Sequence, residues 1–202
     1  MPGMYPEGEY DLAGFAVGVV EKSQIIDGSK VKPGDVVLGL ASSGPHSNGF
    51  SLIRKIVEVS GASWDMPFDG ATLADRLMEP TRIYCKQVAN VMKKVPIHAM
   101  AHITGGGLVE NVPRVLPEGT QVVIHRDSWK RPAIFDWLQK EGNVAEDEML
   151  RVFNNGIGLV VIVPAEAADA AVSAFESEGE KVYRLGEVVN RANAADPGCV
   201  VI

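Results

Sequence analysis

Two glycine-rich loops, each joining an apolar run to an amphipathic stretch, constrain the fold of this chain more than any other feature. The first loop, residues 42–49, follows the apolar run Val36–Ala41 and precedes a stretch whose apolar residues recur at helical spacing. The second loop, residues 104–107, repeats that order between an apolar run at 97–103 and another helical stretch. A strand, a glycine turn and a helix, used twice, predict a mixed α/β domain.

Short strands and helices alternate along the rest of the chain. The patterns predict further strands at 15–21, 120–125, 159–163 and 181–189, and helices at 50–57, 71–78, 81–94, 132–141, 146–153 and 165–177. The unbroken apolar run at 159–163 indicates a strand that is covered on both faces. Ser47 or Asn48 is available as the N-cap of the helix after the first loop.

The N-terminal residues 1–33 look different from the rest. Residues 1–11 are rich in Pro, Gly, Tyr and acid, and the strand predicted at 15–21 has no earlier element to pair with. Two interpretations remain open: the chain begins in the middle of a larger fold, or 15–21 is a free edge strand. We place a domain boundary near Pro33, which leaves 34–202 as the principal domain.

Composition and charge exclude several classes of function. The formal net charge is −7 and the sequence pI is about 5.1, which opposes binding to nucleic acid or anionic membranes. No apolar run approaches a membrane span, and residues 1–10 lack the pattern of a signal sequence. Cys85 and Cys199 form no CxxC pair. We therefore expect a cytoplasmic protein, with Cys85 buried in a helical stripe.

The histidines and acidic residues offer few catalytic or metal-binding patterns. We expect His46, in a polar loop, to be exposed and able to bind a phosphate or move a proton; a merely solvated loop histidine is the rival interpretation. His98 and His102 share one face of a strand but lack a third ligand, so we expect no metal site. We expect His125 to lie on the surface and the acids at 146–148 to form the first turn of a helix.

Glycine loops at the start of a helix allow a backbone to approach an anion closely. Neither loop matches the P-loop or the dinucleotide-binding pattern, so two interpretations stay open: phosphate-binding loops and ordinary tight turns. No serine or cysteine nucleophile can be argued from spacing.

Five segments, taken in order, resemble one enzyme family. They are Met-Pro-Gly-Met-Tyr at 1–5, Gly-Val-Val-Glu-Lys at 18–22, Ser-Gly-Pro-His-Ser-Asn-Gly at 43–49, Pro-Thr-Arg-Ile-Tyr at 80–84 and His-Ile-Thr-Gly-Gly-Gly at 102–107. The series resembles the C-terminal half of phosphoribosylformylglycinamidine cyclo-ligase, also called aminoimidazole ribonucleotide synthetase. The resemblance implies a mixed sheet flanked by helices in residues 34–202, with 1–33 as the remnant of an ATP-binding domain and a connecting strand.

The resemblance also implies a reaction and a set of site residues. ATP activates the formyl oxygen of formylglycinamidine ribonucleotide, an internal nitrogen attacks, and the imidazole ring closes with release of phosphate and ADP. His46 would be catalytic. Contacts to substrate or phosphate would come from Ser43, Gly44, His46, Ser47, Asn48, Gly49, Thr104, Gly105, Gly106 and Gly107.

The chain departs from the family pattern at its N-terminus. It lacks the half that carries the magnesium ligands, most ATP contacts and the dimer-forming sheet, so we expect a truncated chain that does not cyclise alone and a homodimer for the complete enzyme. Two alternatives remain: a non-catalytic domain that binds a phosphorylated ligand or docks a partner, and another ATP-using member of the same superfamily.

Overall fold

A six-stranded mixed sheet forms the centre of the protein in a computed structural model that describes residues 8, 10 and 12–202. The strands are β1 Val36–Ala41, β2 Pro67–Phe68, β3 Ala71–Thr72, β4 Ala99–His102, β5 Thr120–Ile124, β6 Ile157–Val163, β7 Val182–Asn190 and β8 Cys199–Val201. The main sheet has the order β4-β6-β1-β7-β5-β8, and β2 pairs with β3 in a separate hairpin. Only β5 and β8 pair in parallel among these strands.

Seven α-helices in the described chain surround the sheet. They are α1 Phe50–Ser60, α2 Leu73–Leu77, α3 Cys85–Val91, α4 Gly107–Asn111, α5 Ala133–Gly142, α6 Glu146–Val152 and α7 Ala168–Ser177. Short 3-10 turns occur at Lys22–Gln24, Val112–Val115, Arg126–Ser128 and Ala165–Ala167. The predicted class, a mixed sheet flanked by helices, is confirmed.

The strand directions bring distant segments to one edge of the sheet. Because β1 and β4 both run antiparallel to β6, their C-terminal ends lie at the same edge, on either side of the start of β6. β7 is antiparallel to β1, so it also begins at this edge. Both glycine loops therefore emerge beside the segments that lead into β6 and β7.

Both faces of β6 are buried, which explains its unbroken apolar sequence. Leu159 and Val161 face a core under α3 and α7, whereas Val160 and Ile162 face a second core under α4. A third cluster joins α1, α2, α5 and α6 and is formed around Ile53, Leu73, Phe135, Met149 and Phe153. This third cluster positions α1, and with it the end of the first loop.

The strand predicted at 15–21 is wrong. These residues are irregular and no described strand pairs with them; the side chains of Phe15 and Val17 are 98% and 92% exposed. A strand needs a hydrogen-bonding partner and a covered face, and this segment has neither. The prediction of irregular chain at 1–11 lies outside the described residues, except for residues 8 and 10.

Three local predictions are also wrong. The N-cap of α1 is Gly49 instead of Ser47 or Asn48. Gly49 has a left-handed conformation, and no side chain caps the helix. Cys85 is exposed because it begins α3 on the solvent side. The helices predicted at 71–78 and 81–94 are shorter, because 71–72 pair in a hairpin and α3 starts only after Tyr84.

Among the described residues, no helix combines the length and apolar character that a membrane crossing requires.

Candidate ligand-binding site

The two glycine loops lie side by side at the sheet edge. A Cβ atom built on Gly105 would be 3.9 Å from Oδ1 of Asn48, so the space between the two loops would just admit a methyl group. Ser43, Ser47 and Gly105 are exposed, whereas Gly44 and Gly107 are buried. The exposed residues of both loops thus form one surface that faces solvent, and the buried residues of each loop contact the interior of the protein.

The first loop has an unusual backbone. His46 and Ser47 have positive φ angles of 54° and 59°, and Gly49 follows with 73°. Left-handed conformations cost a residue with a side chain roughly 1–2 kcal/mol, so two in succession require support from their surroundings. Asn48 supplies part of it, since Nδ2 donates to the carbonyl of His46 over 2.7 Å. Strain of this kind is typical of ligand-binding loops.

The imidazole of His46 is buried, with 3% of its surface exposed, so the expectation of an exposed ring is wrong. Its Nε2 accepts hydrogen bonds from the backbone N–H groups of Ser43 and Arg82, over 3.0 and 3.3 Å. A nitrogen that accepts two such bonds carries no proton, which assigns the proton of the neutral ring to Nδ1. Burial, followed by the charges of His102 and Arg82, lowers the pKa of His46 to about 4. His46 is therefore neutral at physiological pH.

Arg82 connects the first loop to the start of β7. Its Nε donates to Oε2 of Glu180 over 2.8 Å, and its Nη2 donates to the carbonyl of Gly179 over 3.1 Å. The Glu180 side chain is wholly buried, whereas that of Arg82 is 38% exposed. A buried carboxylate thus fixes a guanidinium whose outer side reaches solvent beside the loops.

Tyr84 and His102 complete a cluster of three rings with His46. The ring centroid of His102 lies 6.4 Å from those of both His46 and Tyr84. Tyr84 donates its hydroxyl to the carbonyl of Ala41 over 2.7 Å, and burial raises its pKa. Gly158 lies beneath this cluster, and a Cβ atom there would stand 2.1 Å from the Tyr84 hydroxyl and 2.6 Å from Cε1 of His46. Only glycine leaves room for both rings.

Asn154 holds the first loop from the turn that precedes β6. Its Nδ2 donates to the carbonyl of Gly44 over 2.8 Å, and its Oδ1 accepts from the Ser42 hydroxyl and the Gly156 amide. All three bonds form at a side chain that is 1% exposed. The loop is consequently anchored in the protein interior.

Asn111 performs the same task for the second loop. Its Nδ2 donates to the carbonyls of Thr104, Gly105 and Gly107, and its Oδ1 accepts from the Thr104 hydroxyl. With the carbonyls turned inward, the amides of Gly105 and Gly106 make no hydrogen bond to any described residue. Unpaired amides in a glycine turn suit an anion.

A cavity of about 510 Å³ opens next to the loops, between α3 and the strands β4 and β6. Arg82 and His102 stand on its rim. Its apolar wall is formed by Ile83, Tyr84, Cys85, Val88, Met100 and Leu159. The volume is that of a small-molecule site, and the rim offers donors to a negatively charged or polar ligand.

The described residues do not fit a magnesium ion. No group of three or more His, Cys, Asp or Glu side chains among them is placed to hold a metal. Glu180 is buried and committed to Arg82, so it is not available to a cation in the site. His98, which the sequence placed on the same strand face as His102, pairs with Asp35 over 2.7 Å near the other end of β4.

Several residues that build the site carry little or no signal in the sequence. Arg82 and Tyr84 lie within a segment that was quoted only for its resemblance, and Glu180, Asn111 and Gly158 carried no signal of their own. Asn154 begins the sequence Asn-Asn-Gly, which is typical of a turn and gives no indication of its buried bonds. Arg82, Tyr84, Asn154 and Gly158 act through contacts with residues that are distant in sequence, whereas Asn111 bonds to a loop only four to seven residues before it.

The fold and the paired loops define an α/β domain of mixed sheet topology with a candidate ligand-binding site at one edge of the sheet. The profile of one family, AIR synthase related protein, C-terminal domain, matches residues 32–195. The chain therefore belongs to the family of AIR synthase related C-terminal domains.

Named relatives are closely similar to this chain. It is 57% identical over 201 residues to a phosphoribosylformylglycinamidine cyclo-ligase of Cupriavidus pinatubonensis, matching all of this chain and 57% of the relative. A cyclo-ligase of Nitrosospira multiformis is 58% identical over 188 residues, which cover 93% of this chain and 53% of the relative. The chain thus spans a little over half the length of these relatives and corresponds to their C-terminal half.

Solved structures share the fold at low sequence identity. A thiamine-monophosphate kinase from Stenotrophomonas maltophilia aligns with a TM-score of 0.62 and 16% identity, over 90% of this chain and 54% of that one. The hydrogenase maturation protein HypE in complex with ATP aligns with a TM-score of 0.58 and 23% identity, over 86% and 49%. At these identities the likeness concerns the fold alone.

Proposed function

We propose that this chain is the C-terminal domain of an ATP-dependent cyclo-ligase that converts formylglycinamidine ribonucleotide to aminoimidazole ribonucleotide in purine biosynthesis. The observation that carries the proposal is the 57% identity, over 201 residues, to a relative named for that reaction. The paired loops and the adjacent cavity support it, because exposed loop residues and two unpaired glycine amides lie beside an apolar cavity lined also by Arg82 and His102.

In this proposal both loops bind the phosphorylated substrate. Ser43, Ser47, Asn48 and Gly49 would contact it from the first loop, and the buried Gly44 would support them from below. Thr104, Gly105 and Gly106 would contact it from the second loop, where the unpaired amides of Gly105 and Gly106 are free to bind an anion, and the buried Gly107 would support them. The catalytic role of His46 stays a prediction, and its burial favours a role in positioning the loop and Arg82.

ATP and magnesium would be bound mainly by the N-terminal half of the complete enzyme. The described residues offer no magnesium site, so we assign them no step that involves the metal. We further propose that residues 1–33 belong to that N-terminal domain and its connecting strand, that 34–202 form the C-terminal domain, and that the complete enzyme is a cytoplasmic homodimer.

The test is a hybrid enzyme in which the unmatched part of the Cupriavidus pinatubonensis relative precedes this chain. We expect the hybrid to form aminoimidazole ribonucleotide and ADP only when formylglycinamidine ribonucleotide and ATP are both present. We expect no cyclisation by the isolated chain. The intact relative, assayed in parallel, is the positive control; an active relative beside an inactive, folded hybrid would overturn the proposal.

Ligand binding to the isolated chain separates the rival functions. Calorimetry should detect heat from the binding of formylglycinamidine ribonucleotide to the chain. It should detect no heat when thiamine monophosphate is added. A preference for thiamine monophosphate would favour another ATP-using member of the superfamily. Binding to the chain together with an inactive hybrid would favour a non-catalytic domain for a phosphorylated ligand.

A further inference from the structure

We infer, on the basis of the proposed cyclo-ligase function, that His102 is the catalytic residue that accepts the proton released during ring closure. In that step a bond forms between the attacking nitrogen of the substrate and the activated carbon. The bond from that carbon to the phosphorylated oxygen breaks, and phosphate leaves with the electron pair. The proton lost by the nitrogen passes to a ring nitrogen of His102, which later returns it to water.

The other three histidines are in unsuitable positions. His46 is buried and its Nε2 already accepts two backbone hydrogen bonds, so it has no lone pair to offer a substrate. His98 is held by Asp35 at the other end of β4. His125 follows β5, four strands away in the sheet order, or about 19 Å at the usual strand spacing. Only His102 is both exposed and next to the two loops.

The position of His102 suits proton transfer. It ends β4 two residues before Thr104, so its ring stands where the second loop begins. It also shares the rim of the 510 Å³ cavity with Arg82. The cavity wall behind it is apolar, and an imidazole at such a boundary can meet a substrate while still exchanging its proton with solvent.

The surrounding charges favour a division of roles between the two neighbouring histidines. The titratable and charged groups that face His102 are His46, Tyr84, Cys85 and Arg82, with Glu180 behind the arginine. Burial, His102 and Arg82 together lower the pKa of His46 to about 4, so His46 does not compete for the proton. His46 is then a positioning residue that holds Arg82 and Ser43.

The test uses His102→Gln in the hybrid enzyme, with kcat and KM measured across pH. We expect kcat to fall about 10²- to 10⁴-fold with little change in KM, and the acid limb of the kcat profile to disappear. His125→Gln is the matched control, since it replaces an exposed histidine at the same sheet edge; its kcat should equal that of the parent. Equal unfolding temperatures of both variants verify that the fold is intact.

A second variant keeps the inference testable if glutamine disturbs the strand end. In His102→Ala, added imidazole should restore a large part of kcat because it supplies the missing base. An active parent whose His102→Gln variant keeps kcat within threefold, or keeps its acid limb, would overturn the inference and leave the proposed function standing. A parent hybrid that does not catalyse ring closure would overturn both the inference and the proposed function.

Discussion

Nε of Arg82 lies 2.8 Å from Oε2 of Glu180, and that ion pair joins the segment before α3 to the segment before β7. The second carboxylate oxygen, Oε1, is buried and has no partner among the described residues. The carboxylate therefore depends on Arg82 for its charge compensation. This dependence makes the pair sensitive to the loss of one member and less sensitive to the loss of both.

Replacing Arg82 by methionine should destabilise the chain by about 2 kcal/mol. Removing one partner of a buried ion pair lowers the free energy of unfolding by roughly 3–5 kcal/mol, because the other charge stays buried without compensation. We expect a smaller loss here because the Arg82 side chain is 38% exposed. The double variant Arg82→Met, Glu180→Met should recover more than half of the loss. Urea unfolding of the three proteins measures both quantities.

Arg151→Met is the control for this prediction. Arg151 pairs with Glu148 three residues earlier on α6, and both side chains are well exposed. Exposed pairs of this kind contribute little to stability because solvent screens their attraction, so the free energy of unfolding should barely change. An equal effect of Arg151→Met and Arg82→Met would contradict the special role of the buried carboxylate.

His46 should make stability depend on pH. Its pKa is lowered from 6.5 to about 4 in the folded protein, so the unfolded chain binds the proton more tightly. The stabilising contribution is complete above pH 6.5 and is lost as pH falls towards 4, by up to roughly 3 kcal/mol. Unfolding free energies at several pH values, compared between the chain and His46→Gln, isolate this contribution.

The two proteins in that comparison share all other titrating groups. The difference between their unfolding free energies should therefore shrink between pH 6.5 and pH 4. In the parent, the ring resonances of His46 should show no titration between pH 8 and pH 5.5 by nuclear magnetic resonance. A midpoint near 6.5 for these resonances would show that the ring is not buried in solution.

Gly158→Ala should disturb the ring cluster directly. The new methyl group would lie 2.1 Å from the Tyr84 hydroxyl and 2.6 Å from Cε1 of His46, so at least one ring must move. Overpacking of this kind costs roughly 1–3 kcal/mol. Thermal unfolding should report the loss, and the resonances of His46 should shift. Gly18→Ala is the control, since its Cβ meets no atom within 4 Å and should leave both unchanged.

The sequence predicted the parts of the fold that depend on local pattern. The apolar run at β1, the helix that begins at Phe50 and the doubly buried β6 all follow from spacing and length. The burial of His46 could not be predicted in this way. It depends on the amide of Arg82, 36 residues later, and on the missing side chain of Gly158.

The same limit explains the failed strand at 15–21 and the exposed Cys85. An alternating or apolar pattern shows that a segment is suited to burial. Whether it is buried depends on the tertiary contacts that other elements make with it. His98 and His102 show the same limit. Their spacing predicts that they share one face of a strand, but it does not predict that they have different neighbours at the two ends of β4. His98 binds Asp35, whereas His102 stands beside His46 at the loops.

The two cysteines should differ sharply in their reaction with a thiol reagent. Cys85 is exposed at the start of α3, whereas Cys199 lies buried in β8, where burial raises the pKa of its thiol to about 12. Since the thiolate is the reactive form, we expect one thiol per native chain to react quickly and the second only in denaturant. Cys85→Ser should abolish the fast reaction. Two fast thiols would mean that β8, at the edge of the sheet, opens independently of the remaining strands.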